Sequence, residues 1–193
     1  MSLKNSFIYL FIILLGIGTS ISSCKENSDD EEDFPPIDRG EFVSNRFLIH
    51  FEELRNPGVV TTYEFYAPNG VITKADTIKL RLGASGGFVR YESKIDFMNN
   101  ADTVTSLIEA RNDRYIVCYR NLVNSKLQVG DLNVDKNGFV LGTEAGWKAV
   151  DQRGAAEVGT IRITLNYLPG RKENKCDAGS RIVEGNIPYM ITN

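Results

Sequence analysis

Histidine is nearly absent from this chain: His50 is the only one among 193 residues. A Ser-His-Asp triad could therefore be built only around His50, and no Gly-x-Ser-x-Gly elbow is present to offer a nucleophile. Cysteine is scarce as well, with Cys24, Cys118 and Cys176 and no more. Neither Cys118 nor Cys176 has a second Cys or a His at ligand spacing, which argues against a thiolate metal site. Gly83-Ala84-Ser85-Gly86-Gly87 lacks a following Lys-Ser/Thr and a strand-to-helix context, so it reads as a flexible hairpin connection rather than a phosphate cradle. No basic stretch occurs, which argues against nucleic acid as a partner. Beyond the first 17 residues there is no second long apolar segment, and neither heptads nor internal repeats are visible.

What the chain does have begins at its N-terminus. Lys4 precedes an apolar core, Phe7 to Ile17, and Ile21-Ser22-Ser23-Cys24 follows with the small-residue pattern of a lipobox. That core is about a dozen residues, a secretory length and shorter than the roughly 20 residues that a membrane-spanning helix needs. The expected organisation is a signal peptide over 1–23, a lipidated acidic tether over 24–40, and one domain over 41–193. Cys24 is then the lipidated first residue of the mature chain. Residues 25–33 carry six acidic side chains and one basic, a block that repels itself and buries nothing. It serves as a solvated spacer. A lipobox followed at once by Lys25 and an acidic cluster also resembles the surface-export signal of lipoproteins from the Bacteroidota. That resemblance implies an outer-membrane address facing outward, with the periplasmic leaflet as the alternative.

Removing 1–23 takes away Lys4 and leaves 25 acidic and 21 basic residues, a formal charge of −4. Six of the acids and Lys25 sit in 25–33, so residues 34–193, with 19 acidic and 20 basic side chains, are close to neutral. About 155 residues after Pro35-Pro36 suffice for one domain with a real core and are too few for two.

The domain reads with period two. Phe47, Ile49 and Phe51 alternate with Leu48, His50 and Glu52, the mark of a strand with one apolar face. Further strands are expected over 60–66, 77–82, 88–97, 114–119, 126–134, 139–141, 146–150, 159–167 and 181–192, with a turn at Pro68-Asn69-Gly70. The fold class is all-β: an antiparallel β-sandwich or a partly open barrel with one short helix. The helix is placed over 102–112, where Asp102 can cap and Val104, Leu107, Ile108 and Ala110 have near-helical spacing. Thr103, Val104 and Thr105 would equally favour a strand.

Several residues invite chemistry. Cys118 and Cys176 are an even pair in an oxidising compartment, and a bridge between them would close a loop of roughly 58 residues, worth on the order of 4 kcal/mol. The alternative is a buried Cys118 and an exposed Cys176, both free. Asp131, Asn133, Asp135 and Asn137 present oxygens at alternating positions, as calcium loops do. Lys136 stands where such a loop needs Gly and Gly142 where it needs Glu, while Asp135-Lys136-Asn137-Gly138 is also a good hairpin turn. Glu52 and Glu53 point to opposite faces of a continuing strand and make a poor acid/base pair. Trp147 is either a core anchor or, if exposed beside Tyr residues, part of a sugar or peptide surface.

Read together, Ile108-Glu109-Ala110, the run from Arg114 to Tyr119, Asp131 to Gly138, Gly142, Trp147 and the run from Gly159 to Gly170 carry a second resemblance. Over 45–193 the chain is similar to a loose group of uncharacterised Bacteroidota lipoproteins regarded as accessories to outer-membrane uptake. That group has a His before the Tyr/Phe-rich strand and another before the Pro-Gly. Here those positions are Arg114 and Tyr167, so any metal or haem site that the group's histidines form is lost from this chain. The tether, the all-β domain and the lack of a catalytic grouping lead to a non-enzymatic surface binding protein, and the resemblance implies an accessory to nutrient uptake, associated with an outer-membrane β-barrel transporter. A structural or adhesive surface module is the alternative, and a carboxylate-dependent hydrolase is a third class. No cofactor is expected other than calcium at the Asp131 loop.

Overall fold

Strands that are apolar on one side only must bury that side, and two packed sheets achieve this. The computed structural model describes residues 44–82, 88–121, 127–150, 157–168 and 172–192, which build an all-β, sandwich-like fold of two curled sheets. The lipobox with Cys24, the acidic tether, the 83–87 connection and Lys126 lie outside the described residues. The first sheet has seven strands: β1 (Arg46–Glu53), β2 (Val60–Tyr66), β3 (Lys74–Ala75), β5 (Phe88–Asn99), β6 (Asp102–Thr103), β8 (Leu127–Gly130) and β9 (Glu144–Val150). Their order is β3-β2-β1-β5-β9-β8, with β6 beside β5. The second sheet has four, β4 (Ile78–Arg81), β7 (Tyr115–Asn121), β10 (Glu157–Tyr167) and β11 (Ser180–Thr192), in the order β4-β11-β10-β7.

Between the sheets lies one aromatic-rich core. Phe47, Ile49 and Phe51 point inward from β1 and meet Phe65, Ile95, Phe97 and Trp147 of their own sheet, facing Ile161, Ile163, Ile187 and Ile191 of the other. Phe47 stacks on its cross-strand partner Phe65 with ring centroids 5.0 Å apart. Trp147 is buried, the core alternative of the two. Its ring meets Phe51 at 4.9 Å and, across the sandwich, Tyr119 of β7 at 5.5 Å, both edge-on. Its indole N–H donates to Ser93 Oγ at 2.6 Å, so the one polar atom of the ring is satisfied.

Departures from strict alternation have local causes. The helix, α1, is confined to Thr105–Ala110. Asp102 does not cap it, because Asp102 and Thr103 pair with the end of β5 instead. Strand β8 stops at Gly130, short of the expected 134, where Asp131 takes φ +48° and turns the chain off the sheet. The 139–141 strand reduces to a single bridge, Val134 with Val140. Strand β4 runs parallel to β11, the one parallel pair between strands of an otherwise antiparallel fold. Its open edge is covered from the other sheet: the Tyr63 hydroxyl bonds both Lys79 N and Lys79 O, and the Tyr91 hydroxyl accepts from Arg81 N at 2.8 Å.

The opposite edge, β7, is covered by the 131–143 excursion. Val117 N donates to Leu141 O, and the Tyr119 hydroxyl donates to Gly142 O. Gly142 is required there: its φ is +78°, and a Cβ would lie 2.3 Å from Val117 O. A second excursion, the loop joining β10 to β11, folds back over the outward side of β7. The two loops meet at a buried ion pair, Lys172 Nζ with Asp135 Oδ2 at 3.2 Å. Lys172 also donates to Asn112 O, and Asp135 Oδ1 accepts from Asn137 N and Phe139 N.

Burial alone would raise the Asp135 carboxyl, but the N–H groups of Phe139 and Asn137 and the Lys172 ammonium outweigh it and hold it below the usual carboxylate range. Burial pulls the Lys172 ammonium below its ordinary value, with Asp135 opposing. Both pKa values are thus lowered, which favours the charged carboxylate and works against the charged ammonium, and the two N–H groups on Asp135 together with the ammonium itself favour the ionised pair at neutral pH. Breaking one half of such a pair strands a buried charge. Lys172→Met is expected to cost about 3–5 kcal/mol in urea unfolding, and adding Asp135→Asn to it should restore most of that loss. Because the Asp135 pKa is lowered by folding, its contribution is complete above the ordinary carboxylate range and disappears as pH falls through the folded value. The wild type should therefore lose more stability on acidification than the double variant.

Candidate functional site

Outward positions of the seven-stranded sheet fall into rows fixed by register. Glu52 stands opposite Val60 on one side and Glu92 on the other, and Glu92 stands opposite Gly146. A Cβ on Gly146 would lie 3.0 Å from Asp131 Cβ and Oδ2, so the missing side chain lets Asp131 lie across β9 and extend the acidic row. The next row reads Thr62, His50, Lys94, Glu144. The row on the other side sets Arg90 opposite Lys148, with both cations over the exposed Phe88 ring.

The Glu52 and His50 rows line an open groove of about 470 Å³, with His50, Glu52, Glu92, Lys94, Asp131 and Glu144 among its residues. Four carboxylates thus face one ammonium. Like charges set directly opposite each other on a sheet repel, by roughly 0.2–1 kcal/mol per pair. Among the described residues, neither Glu52 nor Glu92 forms an ion pair; Glu52 Oε1 accepts only from Gly58 N, at 2.6 Å. Sequence reasoning missed Glu92, Lys94 and Glu144. The signal was the charged outward half of the alternation in 88–97, but the rows need the register before they can be seen.

His50 sits in this groove, roughly a quarter exposed at its side chain, with Nδ1 2.8 Å from Thr62 Oγ1 and Nε2 3.2 Å from Asp96 Oδ2. A hydroxyl, an imidazole and a carboxylate are thus in line. The row is an ordinary cross-strand ladder, however, on an open face that does not exclude water, and the hydroxyl is a hindered secondary one in mid-strand. Glu52 and Glu53 diverge as expected: Glu52 enters the groove while Glu53 pairs with Arg81 at the β4 edge.

The four oxygen residues at 131–137 are spent separately. Asp131 leans over Gly146, and Asn133 accepts from Glu144 N and donates to Thr143 Oγ1. Asp135 holds its own turn and Lys172, and Asn137 supplies a backbone N–H to Asp135. The Lys172 ammonium occupies the position beside Asp135 that a cation would take. Among the described residues no three of His, Cys, Asp and Glu are grouped to share a metal. Arg114 and Tyr167 lie at neighbouring strand ends rather than in this groove.

Cys118 and Cys176 are bonded, with Cα atoms 5.8 Å apart, pinning the second excursion to the outward face of β7. Ile116, Cys118 and Leu168 form a small apolar cluster beneath that loop, with Val140 and Ala178 packed against it. Asn166 Nδ2 donates to Cys176 O, and Asn174 Oδ1 accepts from Val140 N. Reduction should therefore lower stability by about 4 kcal/mol, read as a shift of the urea midpoint with and without thiol. Replacing chelator by calcium should leave the melting temperature unchanged; a calcium-dependent rise would mean that the Asp131 loop rearranges to bind. No known family, curated protein or solved structure matches this chain.

Proposed function

We propose that the chain is an outer-membrane lipoprotein, anchored through Cys24 and exposed at the cell surface, whose domain is a non-enzymatic binding module for a cationic ligand. The ligand chemistry is that of an amine, or of a Lys/Arg-rich peptide segment, held in the groove of the seven-stranded sheet. One observation carries the reading: Glu52 and Glu92 stand directly opposed beside Asp131 and Glu144, with Lys94 the one ammonium in the lining. A bound cation relieves that repulsion, which is the differential that a binding site exploits. The open face around His50 supports binding over catalysis, since it neither excludes water nor isolates a nucleophile. The lipobox and acidic tether support the address, and an accessory role beside an outer-membrane β-barrel transporter follows from the resemblance.

Calorimetric titration with spermidine and with oligolysine tests the ligand class. Binding should weaken as salt is raised, and Glu92→Gln with Glu144→Gln should weaken it about tenfold, two surface charge contacts' worth. Absence of heat with every cationic probe would remove the ligand class. The address has its own test. Metabolic labelling with palmitate should mark the wild type and leave Cys24→Ala unlabelled, and surface biotinylation of intact cells should reach the labelled protein.

A further inference from the structure

The second sheet presents a face of opposite character. Alternation turns Lys79 of β4, Met190 of β11, Val158 and Arg162 of β10 and Arg120 of β7 away from the core. Register places Lys79 beside Met190, Met190 beside Val158, and Arg162 directly opposite Arg120. Val158 is 76% exposed, the largest value among the exposed large apolar residues. Glu184 is the carboxylate on this face, and it is shared by Arg162 at 3.7 Å and Arg181 at 3.0 Å. Lys79 and Arg120 form no ion pair among the described residues. Away from the 172–178 loop, the face carries, among the described residues, Lys79, Arg120, Arg162 and Arg181 against the Glu184 carboxylate, with Arg81 drawn to Glu53 of the other sheet and Val158 exposed near the start of β10.

That combination has a natural counterpart. A face rich in Lys and Arg with an exposed apolar residue at one end suits a bilayer surface carrying anionic headgroups, where the apolar side chain enters the headgroup boundary and the cations meet phosphates. Two guanidinium groups set opposite each other are unfavourable in water and favourable against a layer of negative charge. We propose that the outward face of the four-stranded sheet docks on an anionic lipid bilayer through Lys79, Arg120, Arg162 and Val158. Because the two sheets back onto one core, docking this face turns the acidic groove away from the membrane. The proposal takes from the lipoprotein reading only the nearness of a bilayer. Residues 24–43, at up to about 3.5 Å each, are long enough for any face of the domain to reach it.

Vesicle flotation tests the docking without the anchor. The chain is started at residue 24 with Cys24→Ser, which keeps every described strand, since all of them lie in the unit Ile37–Asn193. Vesicles of phosphatidylglycerol in phosphatidylcholine should recruit it, pure phosphatidylcholine should not, and high salt should release it. Each neutralised cation is expected to weaken recruitment about fivefold, so Lys79→Gln with Arg120→Gln should weaken it about 25-fold. Val158→Asp should weaken it too, whereas Glu92→Gln on the other face should leave it unchanged. Melting curves equal to the parent's show that these variants are folded. No recruitment by phosphatidylglycerol, or recruitment indifferent to the Lys79 and Arg120 changes, overturns the proposal. Recruitment that appears only after the six acids of 25–33 are changed to Asn and Gln assigns the face to that segment and overturns the bilayer as its occupant. Either failure leaves palmitate labelling at Cys24 unaffected, so the two readings fail separately.

Discussion

The buried pair of Lys172 with Asp135 is the point at which the two long excursions of the fold are tied together. One excursion leaves the seven-stranded sheet after β8 to cover the edge of β7. The other leaves the four-stranded sheet after β10 and folds over the same strand. Without the ion pair each loop would hold a desolvated charge facing the other's backbone. With it, the Asp135 turn, the Asn174 contact and the small cluster around Ile116 and Leu168 become one unit. A buried ion pair is weak evidence for stability, because its desolvation cost is close to its attraction. What the geometry shows is a join: the pair sets the 131–143 segment against Lys172 of the other excursion, beside the strand edge that the first one closes. The disulfide between Cys118 and Cys176 acts on the same unit from the other side, through the unfolded chain rather than through contacts.

Strand positions were largely legible because burial on one face imposes a period of two. Phe47, Ile49 and Phe51, or Ile161, Ile163 and Leu165, can be read directly as inward residues. Sheet order was not legible, since it is decided by pairings between distant segments. Nothing local in Ile78–Arg81 says that it will lie parallel to a strand more than a hundred residues later. The Asp131 loop is the instructive case. Its oxygens alternate as ligands do, and the sequence weighs a cation site against a turn. What answers the alternation is the ammonium of Lys172, 37 residues further along the chain, together with local N–H groups. The groove was illegible for the same reason: Glu52 and Glu92 are unremarkable apart, and only the β1–β5 register makes them neighbours.

Charge is distributed by face rather than by net amount. Residues 34–193, with 19 acidic and 20 basic side chains, would be read as electrostatically bland. Yet cross-strand register gathers carboxylates in the middle of one outward face, and arginine opposite arginine on the other. Where side chains alternate, as along β1 and β5, an inward substitution leaves the outward charge pattern in place, and an outward one leaves the central core in place. The aromatic interior and the two polar exteriors can thus diverge independently, which keeps the requirements of folding apart from those of recognition.

The tyrosine hydroxyls on β4 have a further consequence. A free strand edge offers its N–H and C=O groups to any extended chain, and so invites growth into larger sheets. On β4 those groups are taken by Tyr63 and Tyr91, on β7 by the backbone at Leu141, and the outer strands β3 and β8 are only two and four residues long. Packed side by side at high density, such domains have little exposed backbone with which to polymerise. They can be crowded without being glued.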